Sequence, residues 1–134
     1  MIKKILVPVD GSENSLKAID SAAIFANKRD ATVHLLHVAK IEDIPKASID
    51  YMRSEGIKES PYVFYSQIAE DQVLVPAEDE AKRKGIKNIK KTCVQGDPAE
   101  EIVKFAKENE FDLIIMGSRG LGREKSLMMG SVSA

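Results

Sequence analysis

The sequence is nearly free of cysteine, since Cys93 is the single one among 134 residues. One cysteine excludes an internal disulfide and a cysteine-based zinc cluster, and it is typical of a reducing compartment. The chain also lacks an excess of either charge, because 20 Lys and Arg face 21 Asp and Glu, for a net charge of −1. A near-neutral chain has no bulk attraction for nucleic acid or an anionic membrane surface, so we expect neither partner.

Long apolar runs and a secretion signal are missing as well. No run reaches about 18 apolar residues, so we expect no membrane-spanning segment. The amino-terminal apolar run stops at Pro8 and lacks the small-residue cleavage site of a signal peptide. We therefore expect a cytoplasmic protein. The length and the 43% of hydrophobic residues are typical of one globular domain, 1–134, and no repeat or linker divides it.

Hydrophobic patterning predicts alternating strands and helices. Apolar runs at 2–9, 31–38 and 111–116 are typical of strands buried on both faces, and the more polar run 88–94 predicts a strand nearer an edge. Apolar residues at helical spacing predict helices over 13–28, over 77–84 and from Pro98 onward, with Asp97 as the cap of the last. We expect 40–75 to be less regular and helical only in part, with Pro76 kinking or breaking any helix that runs through it. This order predicts an open α/β sheet.

Small and polar residues gather after the first and fourth predicted strands. Five of the eight glycines lie there: Gly11, Gly117, Gly120, Gly122 and Gly130. In open α/β sheets, ligands bind outside the carboxyl ends of the strands, and glycines expose backbone N–H groups to them. Residues 130–133 also resemble the start of a helix, whose partial positive charge favours phosphate. Arg119 could add a charge-assisted contact.

Several of these residues have structural alternatives. Glycines after a strand are turn residues in most α/β proteins. Asp10 is an acceptor suited to ribose hydroxyls or to a magnesium ion, but Asp10 and Glu13 also have the spacing of a capping box. His34 and His37 fall on opposite faces of the second strand, so they cannot chelate one metal ion. Cys93 is interpreted as a small buried side chain. The P-loop and dinucleotide-binding patterns do not fit.

Taken together, the motifs resemble those of the universal stress protein family, in its ATP-binding branch. The resemblance rests on Ile-Leu-Val-Pro-Val-Asp-Gly-Ser at 5–12, Leu-His-Val at 36–38, Gly-Asp-Pro at 96–98 and the strand and turn at 112–120. The nucleotide signature of the family is Gly, two residues, Gly, nine residues, then Gly followed by Ser or Thr. Gly117, Gly120 and Gly130-Ser131 match this spacing. The resemblance covers nearly the whole chain and is weakest over 41–75.

The resemblance implies a Rossmann-like sheet of five parallel strands that holds ATP, with Mg2+, between the ends of the first and fourth strands. The residues implied for adenosine are Pro8, Val9, Asp10 and Val38. Those implied for ribose and phosphates are Gly117, Arg119, Gly120, Gly130, Ser131 and Val132. Met116 and Gly122, at the same strand end, complete the predicted site. The resemblance also implies a homodimer with a further protein partner, and no catalytic residue.

One departure from the family concerns the end of the chain. The family normally continues past this Gly-Ser with a helix and a fifth strand, whereas three residues follow Ser131 here. We therefore expect both elements to be missing and the fourth strand to keep an exposed apolar edge. We also expect the chain to be less stable than a version extended through the fifth strand.

Three functions follow from these features. The leading one is an ATP-binding regulatory protein of the stress response, acting as a switch and without a fast reaction of its own. The second is a slow ATPase or nucleotidyl-transferring enzyme, for which 41–75 would supply the lid. The third is a nucleotide-free dimeric scaffold, against which the intact glycine signature argues.

Overall fold

The computed structural model describes residues 2–40, 46–58, 60–118 and 125–129. The elements are β1 (Lys4–Pro8), α1 (Glu13–Arg29), β2 (Thr32–Ala39), α2 (Lys46–Ser54), α3 (Pro61–Ala69), a π-helical turn (Glu70–Leu74), α4 (Val75–Arg83), β3 (Asn88–Gln95), α5 (Pro98–Glu108), β4 (Leu113–Ser118) and β5 (Lys125–Met129). The alternation confirms the predicted α/β class. Among the described helices, none is long and apolar enough to cross a membrane.

The strands form one sheet in the order β3-β2-β1-β4-β5. Strands β1 to β4 run parallel, and β5 runs antiparallel to β4. Ile5, Leu6 and Val7 of the central strand are fully buried, because helices cover both faces of the sheet. The more polar β3 lies at an edge of the sheet, as predicted.

Successive side chains of each strand enter two separate cores, as the strand period of two requires. On one face, Ile5 and Leu35 join a cluster with residues of α1 and α4. On the other face, Leu6 and Leu36 pack with Ile102 of α5. The crossover from β1 to β2 and the crossover from β3 to β4 therefore lie on opposite faces. They diverge between β1 and β4, which is where open α/β sheets form their ligand crevice.

The segment expected to be less regular and partly helical is helical over most of its described residues. The helices α2 and α3 lie within it, and α3 continues through the π-helical turn into α4. At the turn, the Val75 N–H bonds to the Glu70 carbonyl five residues back. Pro76 lacks an N–H, and its ring would clash with the carbonyl four residues earlier in a regular helix. The wider π turn immediately before Pro76 accommodates it without ending the helical path.

Two predicted helix ends are confirmed by their backbone geometry. Gly85, at φ +87°, follows α4 and donates its N–H to the Lys82 carbonyl at 3.0 Å. This is the left-handed glycine that commonly ends a helix. At the start of α5, Asp97 Oδ2 accepts the Glu100 N–H at 3.1 Å.

The outer edge of β4 is paired, contrary to the expectation that it would be exposed. Strand β5 bonds along it, with Ile114 opposite Met129 and Ser118 opposite Lys125. A free apolar edge is a ready template for any extended segment that can reach it. The sheet thus has four parallel strands and an antiparallel fifth, where the resemblance implies five parallel strands. Strand β5 lies within the nine-residue spacer of the glycine signature.

Candidate functional site

A cavity of about 190 Å³ opens at the carboxyl ends of β1, β2 and β4. Half of the predicted site residues line it together: Pro8, Val9, Asp10, Val38, Met116 and Gly117. The other half lie outside the described residues: Arg119, Gly120, Gly122, Gly130, Ser131 and Val132. The structure therefore brings together the predicted site residues that lie at the ends of β1, β2 and β4. We call this cavity the switch-point cleft.

The chain leaves β1 along a path fixed by hydrogen bonds to β2. Val9 donates its N–H to the Leu36 carbonyl at 2.8 Å. The Val9 carbonyl in turn accepts a hydrogen bond from Nδ1 of His37 at 2.9 Å. Gly11 then turns the backbone at φ +86°, a conformation that costs glycine little. This turn brings the chain from the sheet to the start of α1 within five residues of Pro8.

Asp10 does not cap α1, so the capping-box interpretation of Asp10 and Glu13 is wrong. The cap is Ser12, whose Oγ accepts the Ser15 N–H at 3.2 Å. Asp10 Oδ1 accepts the Ser12 N–H at 2.9 Å, which orients its carboxylate within the turn. The Asp10 side chain is exposed and lines the switch-point cleft. It is therefore an oriented anionic acceptor at the mouth of the cleft.

Gly117 brings the end of β4 against the start of α1. A Cβ placed at this glycine would lie 2.4 Å from the Asn14 backbone oxygen and 2.5 Å from the Asn14 carbonyl carbon. Only a residue without a side chain permits this approach. Because Asn14 also lines the cleft, the approach closes its wall between β4 and α1. Sequence reasoning assigned Gly117 to the site but did not foresee this contact.

The inner wall of the cleft is apolar. It comprises Leu36 and Val38 of β2, Ile102 of α5 and Met116 of β4. Aliphatic walls of this kind suit a flat aromatic group, while the few polar groups at the rim fix its orientation. The polar residues that line the cleft include Asp10, Ser12 and Asn14. Chemically, the cleft can hold a planar base and accept hydrogen bonds from a polyol attached to it.

Sequence reasoning missed the contributions of Asn14, Pro98 and Ile102. Each lies in the first turns of a helix that follows a strand. The crossover helices α1 and α5 begin at the carboxyl edge of the sheet, because β1 and β3 end there. That topology was a usable signal, since the residues after each strand of a parallel sheet share one edge.

A second, more polar cavity of about 370 Å³ adjoins the cleft. It shares Asp10, His37, Val38 and Pro98 with the switch-point cleft. Its remaining walls come from Lys40, from α3 and from the π-helical turn: Tyr65, Ile68, Ala69, Gln72 and Val73. We call it the side cavity. Residues 65–73, part of the segment that the sequence suggested as a lid, therefore border the switch-point cleft.

The other chemically distinctive side chains lie away from the cleft. His34 bonds to Thr92 and packs edge-on against Phe105 and Phe111. Burial, reinforced by nearby lysines, lowers the pKa of His34 to about 4. Cys93 is half-buried, and burial followed by the charge of Glu70 raises the pKa of its thiol. Across the described portion of the chain, no three His, Cys, Asp or Glu side chains form a metal-binding cluster.

Comparisons with known proteins agree with this architecture. The sequence profile described as the Universal stress protein family matches residues 1–134. Universal stress protein YxiE of Bacillus subtilis is 35% identical, covering 99% of this chain and 90% of its own length. Universal stress protein MJ0577 of Methanocaldococcus jannaschii is 35% identical, covering 99% of this chain and 86% of its own length.

Solved structures agree with the fold as well. The structure of MJ0577 covers 90% of this chain and 80% of its own, at 31% identity and a TM-score of 0.65. A universal stress protein solved in complex with cAMP covers 90% of this chain and 76% of its own, at 26% identity and a TM-score of 0.61. The second of these two structures therefore carries an adenine nucleotide.

Proposed function

The chain belongs to the universal stress protein family, and we propose that it acts as an ATP-dependent switch of the stress response. In this proposal, ATP with Mg2+ binds in the switch-point cleft, and the bound nucleotide alters what the protein contacts. No fast reaction is assigned to it.

The observation that carries the proposal is the convergence of β1, β2 and β4 on one cleft. Asp10, Val38 and Gly117 come from three separate parts of the sequence and line the same cavity. That cavity lies at the point where the crossovers diverge, which is where nucleotides bind in this class of sheet. The complex of a related protein with cAMP supports an adenine nucleotide as the ligand class.

The residues present fit each part of a nucleotide. The apolar wall at Val38, Ile102 and Met116 suits the base, and the Asp10 carboxylate suits the ribose hydroxyls or a magnesium ion. The phosphates would lie toward Gly117 and the start of α1, where the first-turn N–H groups and the helix dipole favour anions. Arg119, Gly120 and Gly130-Ser131 would complete the phosphate contacts.

Paired substitutions at Asp10 test the placement. Asp10→Asn keeps an oxygen that can accept the Ser12 N–H but removes the negative charge, whereas Asp10→Ala removes both. Hydrogen bonds to charged groups contribute about 1.5–3 kcal/mol, so we expect Asp10→Asn to bind ATP about 10- to 100-fold more weakly in the presence of Mg2+. Isothermal titration calorimetry measures the affinity, and far-UV circular dichroism verifies that both variants fold. Wild-type affinity in Asp10→Asn would place the nucleotide elsewhere.

Substitutions in the glycine signature test the phosphate contacts separately. Gly120→Val and Gly130→Val each add a branched side chain where backbone N–H groups are proposed to approach phosphate oxygens. We expect both variants to lose affinity for ATP while retaining more of their affinity for adenosine. Unchanged ATP affinity in both would remove the signature from the proposed site.

A second candidate function is slow ATP hydrolysis or nucleotidyl transfer, and the side cavity is the feature that favours it. An enzyme of this kind needs space for a second substrate beside the nucleotide, and the side cavity shares Asp10 and His37 with the cleft. Multiple turnover of ATP by the purified protein, abolished in Asp10→Ala, would support the enzyme over the switch. Binding without turnover would support the switch.

A further inference from the structure

Strand β5 leads the chain away from the switch-point cleft. Because β5 runs antiparallel to β4, Lys125 lies opposite Ser118, at the carboxyl end of β4, and Met129 lies opposite Ile114. Ile114 comes three residues before Gly117, which lines the cleft. At about 3.4 Å per residue, Met129 therefore lies about 10 Å from the level of Gly117, toward the opposite end of the sheet.

The proposed phosphate contacts require the chain after β5 to be near the cleft instead. The phosphates are proposed to lie beside Gly117, and Gly130-Ser131 is proposed to contact them. Consecutive Cα atoms are about 3.8 Å apart, so Gly130 stays within that distance of Met129. While Met129 is paired with β4, Gly130 therefore lies at least roughly 6 Å short of the level of Gly117. A hydrogen bond to a phosphate needs about 2.7–3.2 Å, so the pairing of β5 and the contact from Gly130 exclude each other.

We infer that β5 is an autoinhibitory strand, which ATP must release from β4 before its phosphate contacts are complete. The inference rests on the proposed function and describes how the switch operates. Release of β5 would let the spacer 121–129 bring Gly130 beside Gly117. It would also uncover the outer edge of β4, so the surface that changes with the nucleotide is the row of backbone N–H and C=O groups along that edge.

The position of β5 in the sheet suits a strand that is released. It has five residues and is the last strand in the order of the described sheet, where β4 is its neighbour. A short edge strand separates at a lower free-energy cost than the buried central strands. That cost reduces the apparent affinity for ATP, because only the released fraction of the protein can make every phosphate contact. Adenosine has no phosphates and should bind without releasing β5.

A reversible cross-link between β4 and β5 tests this competition. Ile114→Cys and Met129→Cys are combined with Cys93→Ser, since directly opposite Cα atoms of antiparallel strands lie about 4.5–5.5 Å apart, within the range that a disulfide spans. The reduced form is the matched control, because it carries the same loss of packing at Ile114. With Mg2+ present, we expect oxidation to weaken ATP binding at least about tenfold, the effect of losing a hydrogen bond to a charged group. Calorimetry should show an unchanged affinity for adenosine.

Amide hydrogen exchange on the unmodified protein measures the release itself. We expect saturating ATP with Mg2+ to speed the exchange of the protected amides in 126–129 at least about tenfold, because bound ATP raises the released fraction. The amides of Ile5 and Leu6 in the central strand are the internal reference and should exchange no faster. Adenosine should leave the exchange of 126–129 unchanged.

Four outcomes overturn the inference. Failure of the disulfide to form under oxidation would contradict the register of β5. Equal ATP affinity in the oxidised and reduced forms, or unchanged exchange of 126–129 with ATP bound, would show that β5 does not compete with the phosphates, while the proposed function stands. An equal loss of adenosine and ATP affinity on oxidation would mean that the cross-link alters the cleft and not the phosphate contacts. If the wild type binds neither ATP nor adenosine, the proposed function fails as well.

Discussion

Adding one methyl group at Gly117 should destabilise the fold through a backbone clash. The new Cβ would lie 2.4 Å from the Asn14 backbone oxygen, whereas Cβ contacts in proteins are essentially never shorter than 3.0 Å. The end of β4 and the start of α1 must therefore separate by at least about 0.6 Å. No side-chain rotation can relieve the contact, because the closest atoms belong to the backbone of Asn14.

The expected loss of unfolding free energy is that of an overpacked contact. Overpacking a well-packed region costs about 1–3 kcal/mol, and we expect about 2–3 kcal/mol for Gly117→Ala because neither the end of β4 nor the start of α1 can move easily. Gly56→Ala is the matched control, because Gly56 has nothing within 4 Å of the added methyl but adopts φ +68°. Its cost is the left-handed backbone alone, about 1 kcal/mol.

Urea unfolding followed by far-UV circular dichroism measures both costs. We expect a clear fall in the urea midpoint for Gly117→Ala, a smaller fall for Gly56→Ala and an unchanged slope in both. ATP binding should also weaken in Gly117→Ala, because Asn14 lines the cleft. A loss of stability below about 0.5 kcal/mol in Gly117→Ala, or one smaller than in Gly56→Ala, would refute the close approach of β4 and α1.

Three further predictions concern stability and reactivity. Ser12→Ala should cost about 1 kcal/mol of unfolding free energy because α1 loses its cap, whereas Ser12→Asp should retain most of it; a loss in both variants equally would contradict the capping role. His34 has a folded-state pKa lowered from 6.5 to about 4, so the unfolded chain takes up its proton first as the pH falls. The stability that neutral His34 provides is therefore complete above about pH 6.5 and declines toward pH 4. Because the ring is half-buried and partly screened by solvent, the loss of unfolding free energy should be about 1–2 kcal/mol. Urea titrations at the two pH values measure this loss, and a His34→Gln variant should not show it. Cys93 should react with a thiol reagent at pH 8 more slowly than a cysteine peptide, because its pKa is raised, and Glu70→Gln should speed the reaction; a rate equal to that of the peptide would contradict the raised pKa.

The central sheet could be predicted because its signals are local. Continuous runs of β-branched residues marked β1, β2 and β4, and the polar β3 fell at an edge as expected. The caps at Asp97 and Gly85 were predictable for the same reason, since each depends on a few neighbouring residues.

The remaining features depend on contacts between distant residues. Pro76 predicts a helix break locally, but the π-helical turn before it preserves the helix that packs on the sheet. The pairing of β5 with the edge of β4 could not be predicted, because it depends on both segments and on their positions in the fold. At the site, Asp10 and Gly117 were predicted from their motifs. Ile102 became visible only once the topology placed α5 beside the cleft.

The most direct test of the account is to locate ATP on the protein in solution. We would titrate 15N-labelled protein with ATP and Mg2+ and follow the backbone amide signals by NMR. The account predicts that the largest shifts fall at Asp10, Val38 and Gly117, at the carboxyl edge of the sheet. Shifts concentrated instead near Asn27 and Lys87, which line a separate cavity, or no shifts at millimolar ATP, would contradict it.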